Sequence, residues 1–148
     1  MDTGTAEKYY RLALYHAELF GKDPSRKVAA ILLAPDTLRV LSTGVNGMCR
    51  EHAETPERWE RPAKYRWVCH AEIDAIATAA RAGIKIEDST CVVTLFPCVE
   101  CTKAMIQSGV RTLVTRQPDW NDATWGEDFR ISLEMLAESA VSIVYVDV

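Results

Sequence analysis

Apolar positions along the chain fall into short runs whose spacing switches between the period of a helix and that of a strand. From about residue 5 to 20, Tyr10, Leu14, Ala17 and Leu19 or Phe20 recur on a broad helical stripe, and Gly21 follows as a terminator. Lys27 to Ala34 and Leu38 to Thr43 are β-leaning and are divided by Pro35-Asp36-Thr37, so they predict a hairpin. Gly47 to Trp67 is polar, carries two prolines and keeps no steady period, which predicts a long surface loop of the kind that rims a binding site. His70 to Ala82 is rich in alanine, places Ile73, Ile76, Ala77 and Ala80 on one face, and stops at Gly83, which predicts a second helix. Cys91 to Phe96 is continuously apolar, as a strand buried on both faces would be. Pro97 then opens a helix to Gln107, Ser108-Gly109 ends it, and Val110 to Thr115 predicts the next strand. A helix from about Glu127 to Ser139 and a strand from Val141 to Val146 complete the alternation. The expected architecture is an α/β sandwich whose strands run mainly parallel after the initial hairpin.

Composition narrows the partners more than the fold. With 148 residues, 48% of them hydrophobic, and no repeat or linker dividing them, residues 1–148 are expected to form a single domain. The 17 basic and 21 acidic residues give a net charge of −4 without a basic stripe, which disfavours a long nucleic acid partner and leaves a mononucleotide open. Asp2, Glu7, Lys8, Arg11 and Glu18 interrupt the first twenty residues, against a signal peptide. The longest apolar run, Val28 to Ala34, is far short of the ~20 residues that cross a bilayer. Five cysteines, an odd number with two in a Cys-x-x-Cys, suggest reduced thiols. A soluble cytoplasmic protein with no membrane partner is expected.

The candidate chemistry lies in His70-Ala71-Glu72 and Pro97-Cys98-Val99-Glu100-Cys101, each opening a predicted helix. Cys98 and Cys101 are three apart, so their sulfurs lie on one face and can reach a single ion, and a helix N-terminus favours their thiolates. With His70 as third ligand, the fourth tetrahedral position of a zinc ion stays open for water, which distinguishes a catalytic site from a closed structural one. Residues two apart on a helix point to nearly opposite sides, so His70 must sit at or before the helix cap if Glu72 is to approach the same metal. Given that, Glu72 can take a proton from the water and return protons to a ring nitrogen and to departing ammonia. A structural zinc module would instead need Cys69 or Cys91 as fourth ligand. Without a metal, His70 and the cysteines would be ordinary core residues. Cys49, His52 and Cys69 give no complete second set, and Cys91 reads as an inert core thiol.

His-x-Glu followed by Pro-Cys-x-x-Cys resembles the signature of zinc nucleobase deaminases. The likeness extends over most of the chain to the deoxycytidylate deaminase branch of the cytidine deaminase superfamily. Asp23-Pro24-Ser25-Arg26-Lys27-Val28 resembles that branch's opening motif, Gly44-Val45-Asn46-Gly47 its Gly-aromatic-Asn-Gly turn, and Cys69-His70-Ala71-Glu72 with Ala75-Ile76 its metal helix. The resemblance implies a three-layer α/β/α sandwich with a five-stranded mixed sheet, one zinc ion per subunit, assembly into dimers or hexamers, and hydrolysis of dCMP to dUMP. It places Asn46 at the sugar, Ser25 and Lys27 near the 5′-phosphate or supporting its loop, an aromatic near Trp120 in the pocket wall, and Ala71 and Asp74 beside the substrate. Two positions depart from the pattern: Asp74 stands where asparagine is common, and Val45 replaces the aromatic. A carboxylate beside a phosphate would repel it, so Asp74 must face away or hold a bridging partner. Read from residue type alone, Asn46 is a turn residue, Lys27 a solvated charge, and Trp59, Trp67, Trp120 and Trp125 partly buried side chains. Other substrates in the same class are a 5-modified dCMP, a nucleoside, or a free base of guanine or cytosine type. A tRNA adenosine substrate is disfavoured by charge.

Overall fold

A computed structural model describes residues 1–148. Its elements in chain order are α1 (Thr3–Phe20), β1 (Ala29–Leu33), β2 (Val40–Val45), β3 (Gly47–Met48), α2 (Pro56–Trp59), α3 (Lys64–Trp67), β4 (Val68–Cys69), α4 (Ala71–Ala82), β5 (Thr90–Val93), α5 (Val99–Gln107), β6 (Thr112–Thr115), α6 (Gly126–Glu138) and β7 (Ser142–Tyr145). The principal sheet has the order β2-β1-β5-β6-β7. β1 runs antiparallel to both β2 and β5, whereas β5, β6 and β7 are parallel, so the five-stranded sheet is mixed as expected.

Alternate residues of the central strands feed two separate cores. On one face, Ile31, Leu33, Val92 and Val114 pack against Ala6, Tyr10 and Ala13 of α1. On the other, Ala30, Leu32, Cys91, Val93 and Leu113 pack with residues of α4, α5 and α6, among them Ala75, Met105, Phe129 and Leu136. No helix is long and apolar enough to cross a membrane.

The buried faces of α1 and α4 differ from those the large apolar residues predict. α1 buries Ala6, Tyr10, Ala13 and Ala17, while Leu14, Leu19 and Phe20 are 40%, 55% and 57% exposed. α4 buries Ala71, Glu72, Ala75 and Ala79; Ile73 and Ile76 are half-buried, and Ala77 and Ala80 face solvent. Both helices turn their small residues inward, because a stripe of alanines lets a helix backbone approach a sheet closely. At Gly44 that approach is extreme: a Cβ there would lie 2.3 Å from Ala71 O and 2.4 Å from Ala75 N. Gly83, at φ +66°, ends α4 in the left-handed conformation that glycine adopts readily.

The segment expected as a loop, Gly47 to Trp67, holds more structure than its pattern suggests. Gly47 and Met48 pair with Cys69 and Val68 in a two-stranded ladder, and α2 and α3 are single turns. Elements of two and four residues are too short to display a period, so no pattern in the sequence announces them.

Gly44→Ala is expected to destabilise the fold by about 1–3 kcal/mol, the usual range for overpacking a close contact. Urea unfolding of the purified protein measures this; an unchanged midpoint would mean that α4 can move away from β2 without loss.

Candidate active site

Two helix N-termini converge on one point. His70 is the N-cap residue of α4, with extended backbone (φ −75°, ψ 155°), and Cys98 is the N-cap residue of α5 (φ −72°, ψ 171°). Because His70 lies before the first helical residue, the near-opposition of residues two apart on a helix does not apply to it. His70 and Glu72 accordingly line the same cleft. Cys101, in the first turn of α5, joins His70 and Cys98 so that the three ligand atoms lie within 4.8 Å of one another.

The donor set suits zinc. His70 Nδ1 lies 3.4 Å from Cys98 Sγ and 3.5 Å from Cys101 Sγ. Tetrahedral zinc with ordinary Zn–N and Zn–S bonds separates such atoms by about 3.6 Å. Neither Cys69 nor Cys91 belongs to the group: the Cys69 thiol donates to His70 O at 3.6 Å, and Cys91 is buried in β5.

Burial and mutual contact set the proton affinities of the clustered side chains. Cys98 is held down to about 4, mainly by its hydrogen bond with Cys101, with burial opposing and His70 assisting. Cys101 is pushed up, first by that same bond and then by burial, so the two sulfurs compete for a proton. His70 is raised, chiefly by Cys98. Glu72 is 4% exposed, and burial pushes its carboxyl up to about 6. A dication held by such a set would displace its protons.

The cleft has a volume of about 260 Å³. One wall is aromatic: Tyr65 packs edge-on to Trp125 with ring centroids 6.0 Å apart, and Trp125 packs edge-on to His70 at 5.9 Å. Three basic side chains, Arg26, Arg61 and Lys64, share the same cleft.

The substrate-side expectations separate into groups that line this cleft and groups that do not. Ala71 and Asn46 line it. The Asn46 side chain accepts from Val28 N at 2.7 Å and donates to Asp23 Oδ2 at 3.0 Å and Arg26 O at 2.9 Å. Both amide protons are thus engaged, leaving one lone pair of Oδ1 for a ligand. Ser25 is outside the lining; its hydroxyl donates to Asp23 Oδ1 at 2.9 Å and accepts from Lys64 Nζ at 2.8 Å, so it braces the loop. Lys27 is also outside it: its ammonium donates to Glu18 O at 3.3 Å, near the end of α1. Trp120 packs behind the wall against Phe96, with ring centroids 5.7 Å apart, and Trp125 five residues on supplies the lining aromatic. Asp74 faces a different groove and accepts from Val45 N at 3.1 Å. It is two residues on from Glu72, hence on the other side of α4.

Among the cleft residues, Arg61, Lys64 and Tyr65 are singled out by no sequence pattern, whereas Trp125 fits the aromatic expected near Trp120. The first three sit in or beside α3, inside the aperiodic stretch. Lys64 is only 7% exposed, a rare state for lysine that composition cannot foretell. Its ammonium lies 2.7 Å from Asp23 Oδ2. Burial alone would raise the Asp23 carboxyl, but hydrogen bonds from Lys64, Ser25 and Arg26 outweigh it and hold it below the ordinary carboxylate range.

Comparison with known proteins gives a consistent likeness. Residues 3–117 match the cytidine and deoxycytidylate deaminase zinc-binding region. The chain is 30% identical over 122 residues to the deoxycytidylate deaminase of Mus musculus, covering 78% of this chain and 67% of the mouse protein. It is 31% identical over 144 residues to an uncharacterized deaminase in the luxG 3′ region of Aliivibrio fischeri, covering 95% and 92%. The crystal structure of dCMP deaminase from the cyanophage S-TIM5, in complex with dCMP and dUMP, shares the fold with a TM-score of 0.76 at 21% identity, covering 99% of each chain.

Asp23→Asn is expected to lower stability near neutral pH by about 3 kcal/mol, since it leaves the Lys64 charge buried and unpaired. The depressed native pKa makes the parent's advantage full above the unfolded carboxylate value and lost as pH falls through the native one. Urea unfolding of both proteins between neutral and strongly acid pH should show the difference shrinking downward; a constant difference would mean that Asp23 is not acting through its charge.

Proposed function

The chain belongs to the family of zinc-dependent cytidine and deoxycytidylate deaminases, and from that premise we propose that it hydrolyses dCMP to dUMP and ammonia. The observation that carries this reading is a three-ligand metal group with a buried carboxylate, in a cleft sized for one small molecule and furnished with basic side chains.

His70, Cys98 and Cys101 would hold the metal. When bound there, zinc supplies Lewis-acid activation of a water molecule. Glu72 would take a proton from the attacking water as its oxygen adds to C4 of the cytosine ring, and would pass protons to N3 and then to the leaving amino group. The C4–O bond forms, the C4–N bond breaks, and ammonia departs. Two thiolates offset most of the charge of the ion, which makes a positioned base such as Glu72 the more necessary. The free lone pair of Asn46 Oδ1 can accept from a sugar hydroxyl. Arg26 and Arg61 complement the monophosphate, and Trp125 with Phe96 offers apolar surface to the base. Asp74, on the far side of α4, lies away from that phosphate. A closed structural zinc site is disfavoured because its fourth ligand would have to be Cys69 or Cys91, and neither joins the group.

The same proposal covers the wider setting. Residues 1–148 act as one deaminase domain in the cytoplasm, where their unpaired cysteines stay reduced. They self-associate as dimers or hexamers, the assembly implied by the family resemblance.

Glu72→Gln should keep one zinc per chain and lower ammonia release from dCMP by roughly 10²–10⁴-fold, the usual contribution of a general acid–base group. Cys98→Ser should instead lower zinc content itself. Both follow from metal analysis and an ammonia assay on dCMP, deoxycytidine, cytidine, guanine and 5-methyl-dCMP. A zinc-loaded parent that is inert to every cytosine compound would end the proposal.

A further inference from the structure

We infer that Lys64 is a positioning residue for substrate selection: through its buried ion pair with Asp23 it holds Asn46 and the Ser25-Arg26 turn in the arrangement that accepts a nucleoside monophosphate. This inference rests on the dCMP reading above.

Lys64 begins α3, a single helical turn within the segment between β3 and β4. One turn of helix has no independent stability in water, so its position depends on what it is tied to. The ammonium of Lys64 donates to Asp23 Oδ2 at 2.7 Å and to Ser25 Oγ at 2.8 Å. Asp23 is 1% exposed. A buried lysine is tolerated only where charge and hydrogen bonds are both satisfied, so this contact allows α3 little freedom of placement.

Asp23 is the hub of the arrangement. Its Oδ2 accepts from Lys64 and from Asn46 Nδ2, and its Oδ1 accepts from Ser25 N, Ser25 Oγ and Arg26 N. Asn46 Nδ2 also donates to Arg26 O, which joins the two loops directly. One carboxylate therefore orients both the amide proposed to meet the sugar and the turn that carries a guanidinium proposed to meet the phosphate. Arg61, three residues before Lys64, donates to Tyr65 Oη of α3 at 2.9 Å.

The metal-binding half depends on Lys64 less directly: the Lys64 charge reaches His70 only through space, as the last-ranked influence on that imidazole. His70 and Glu72 are fixed by α4, and Cys98 and Cys101 by α5, with no hydrogen bond from Lys64 to any of them. Loss of the Lys64–Asp23 contact should thus disturb the sugar and phosphate contacts more than the proton transfers. Its signature is a raised KM for dCMP with a much smaller change in kcat. A merely structural ion pair would alter melting temperature without changing the preference for dCMP over deoxycytidine.

The test uses zinc-loaded full-length protein as parent, Lys64→Met, Asp23→Asn/Lys64→Met and Lys64→Arg. Melting temperature, zinc content, and kcat and KM for dCMP and deoxycytidine are measured for each. Lys64→Met strands a buried carboxylate and is the variant most prone to misfold; the double variant removes both charges and keeps the question answerable. In the folded, zinc-replete double variant, the ratio of kcat/KM for dCMP to that for deoxycytidine is expected to fall roughly tenfold or more, mostly through KM, as for lost hydrogen bonds to a charged group. Lys64→Arg should recover part of the ratio. A folded double variant with the parent's ratio would overturn the inference while leaving the dCMP reading intact. A parent inert to dCMP would instead overturn the reading on which it rests.

Discussion

The contact on which the rest of the structure depends is the backbone-to-backbone approach of α4 to β2. Gly44 leaves no room for a side chain against Ala71 and Ala75. Two hydrogen bonds flank it: Ser42 Oγ donates to Ala75 O at 2.8 Å, and Val45 N donates to Asp74 Oδ2 at 3.1 Å. An edge strand thereby grips the first two turns of a helix whose cap is His70. The Asp74 carboxylate, unusual against the family pattern, has a structural place here: it satisfies the backbone N–H of Val45, a half-buried group at the end of β2. A one-position rotation of α4 would break all three contacts and carry His70 away from the cysteines.

Fixing the helices does not by itself make the site comfortable. The ends of α4 and α5 bring a buried carboxyl, an imidazole and two thiols into one small volume, and their proton affinities diverge in response. The divergence has a common origin, since each group is short of water and close to another that competes for the same proton. A divalent cation held there would replace the shared protons with one central charge. The helix N-termini add to this effect, because their free N–H groups favour anionic sulfur at Cys98 and Cys101.

What could be read from the sequence follows the length scale of each feature. β5, α4, α5 and α6 are long or apolar enough to carry their own period, and the two metal motifs fall at their expected helix starts. The inward faces of α1 and α4 were obscured because alanine packs closely while contributing little to a hydrophobic pattern; the larger Leu14, Ile73 and Ile76 dominate the pattern and sit on the flanks. The cations of the cleft were hidden for a different reason. Whether Lys64 or Lys27 turns inward depends on where Asp23 and Glu18 lie in space, and neither placement is recorded in the local order of residues. The same holds for Trp120 and Trp125, neighbours in one polar stretch: one supports Phe96 and the other reaches His70.

These differences trace a division within the site. The groups proposed for the chemistry are mounted on helices held by the sheet, where short motifs suffice to specify them because secondary structure supplies the geometry. The groups proposed to recognise sugar and phosphate are mounted on turns and on a single-turn helix, where geometry comes from long-range polar contacts centred on Asp23. A helix-mounted ligand set changes only if a helix moves, whereas a loop-mounted one can be re-aimed by one substitution at the hub. On the inference drawn above, selectivity among amino-heterocycles would follow the polar network of Asp23, Asn46 and Lys64 that lines the cleft more than the residues that would hold the metal.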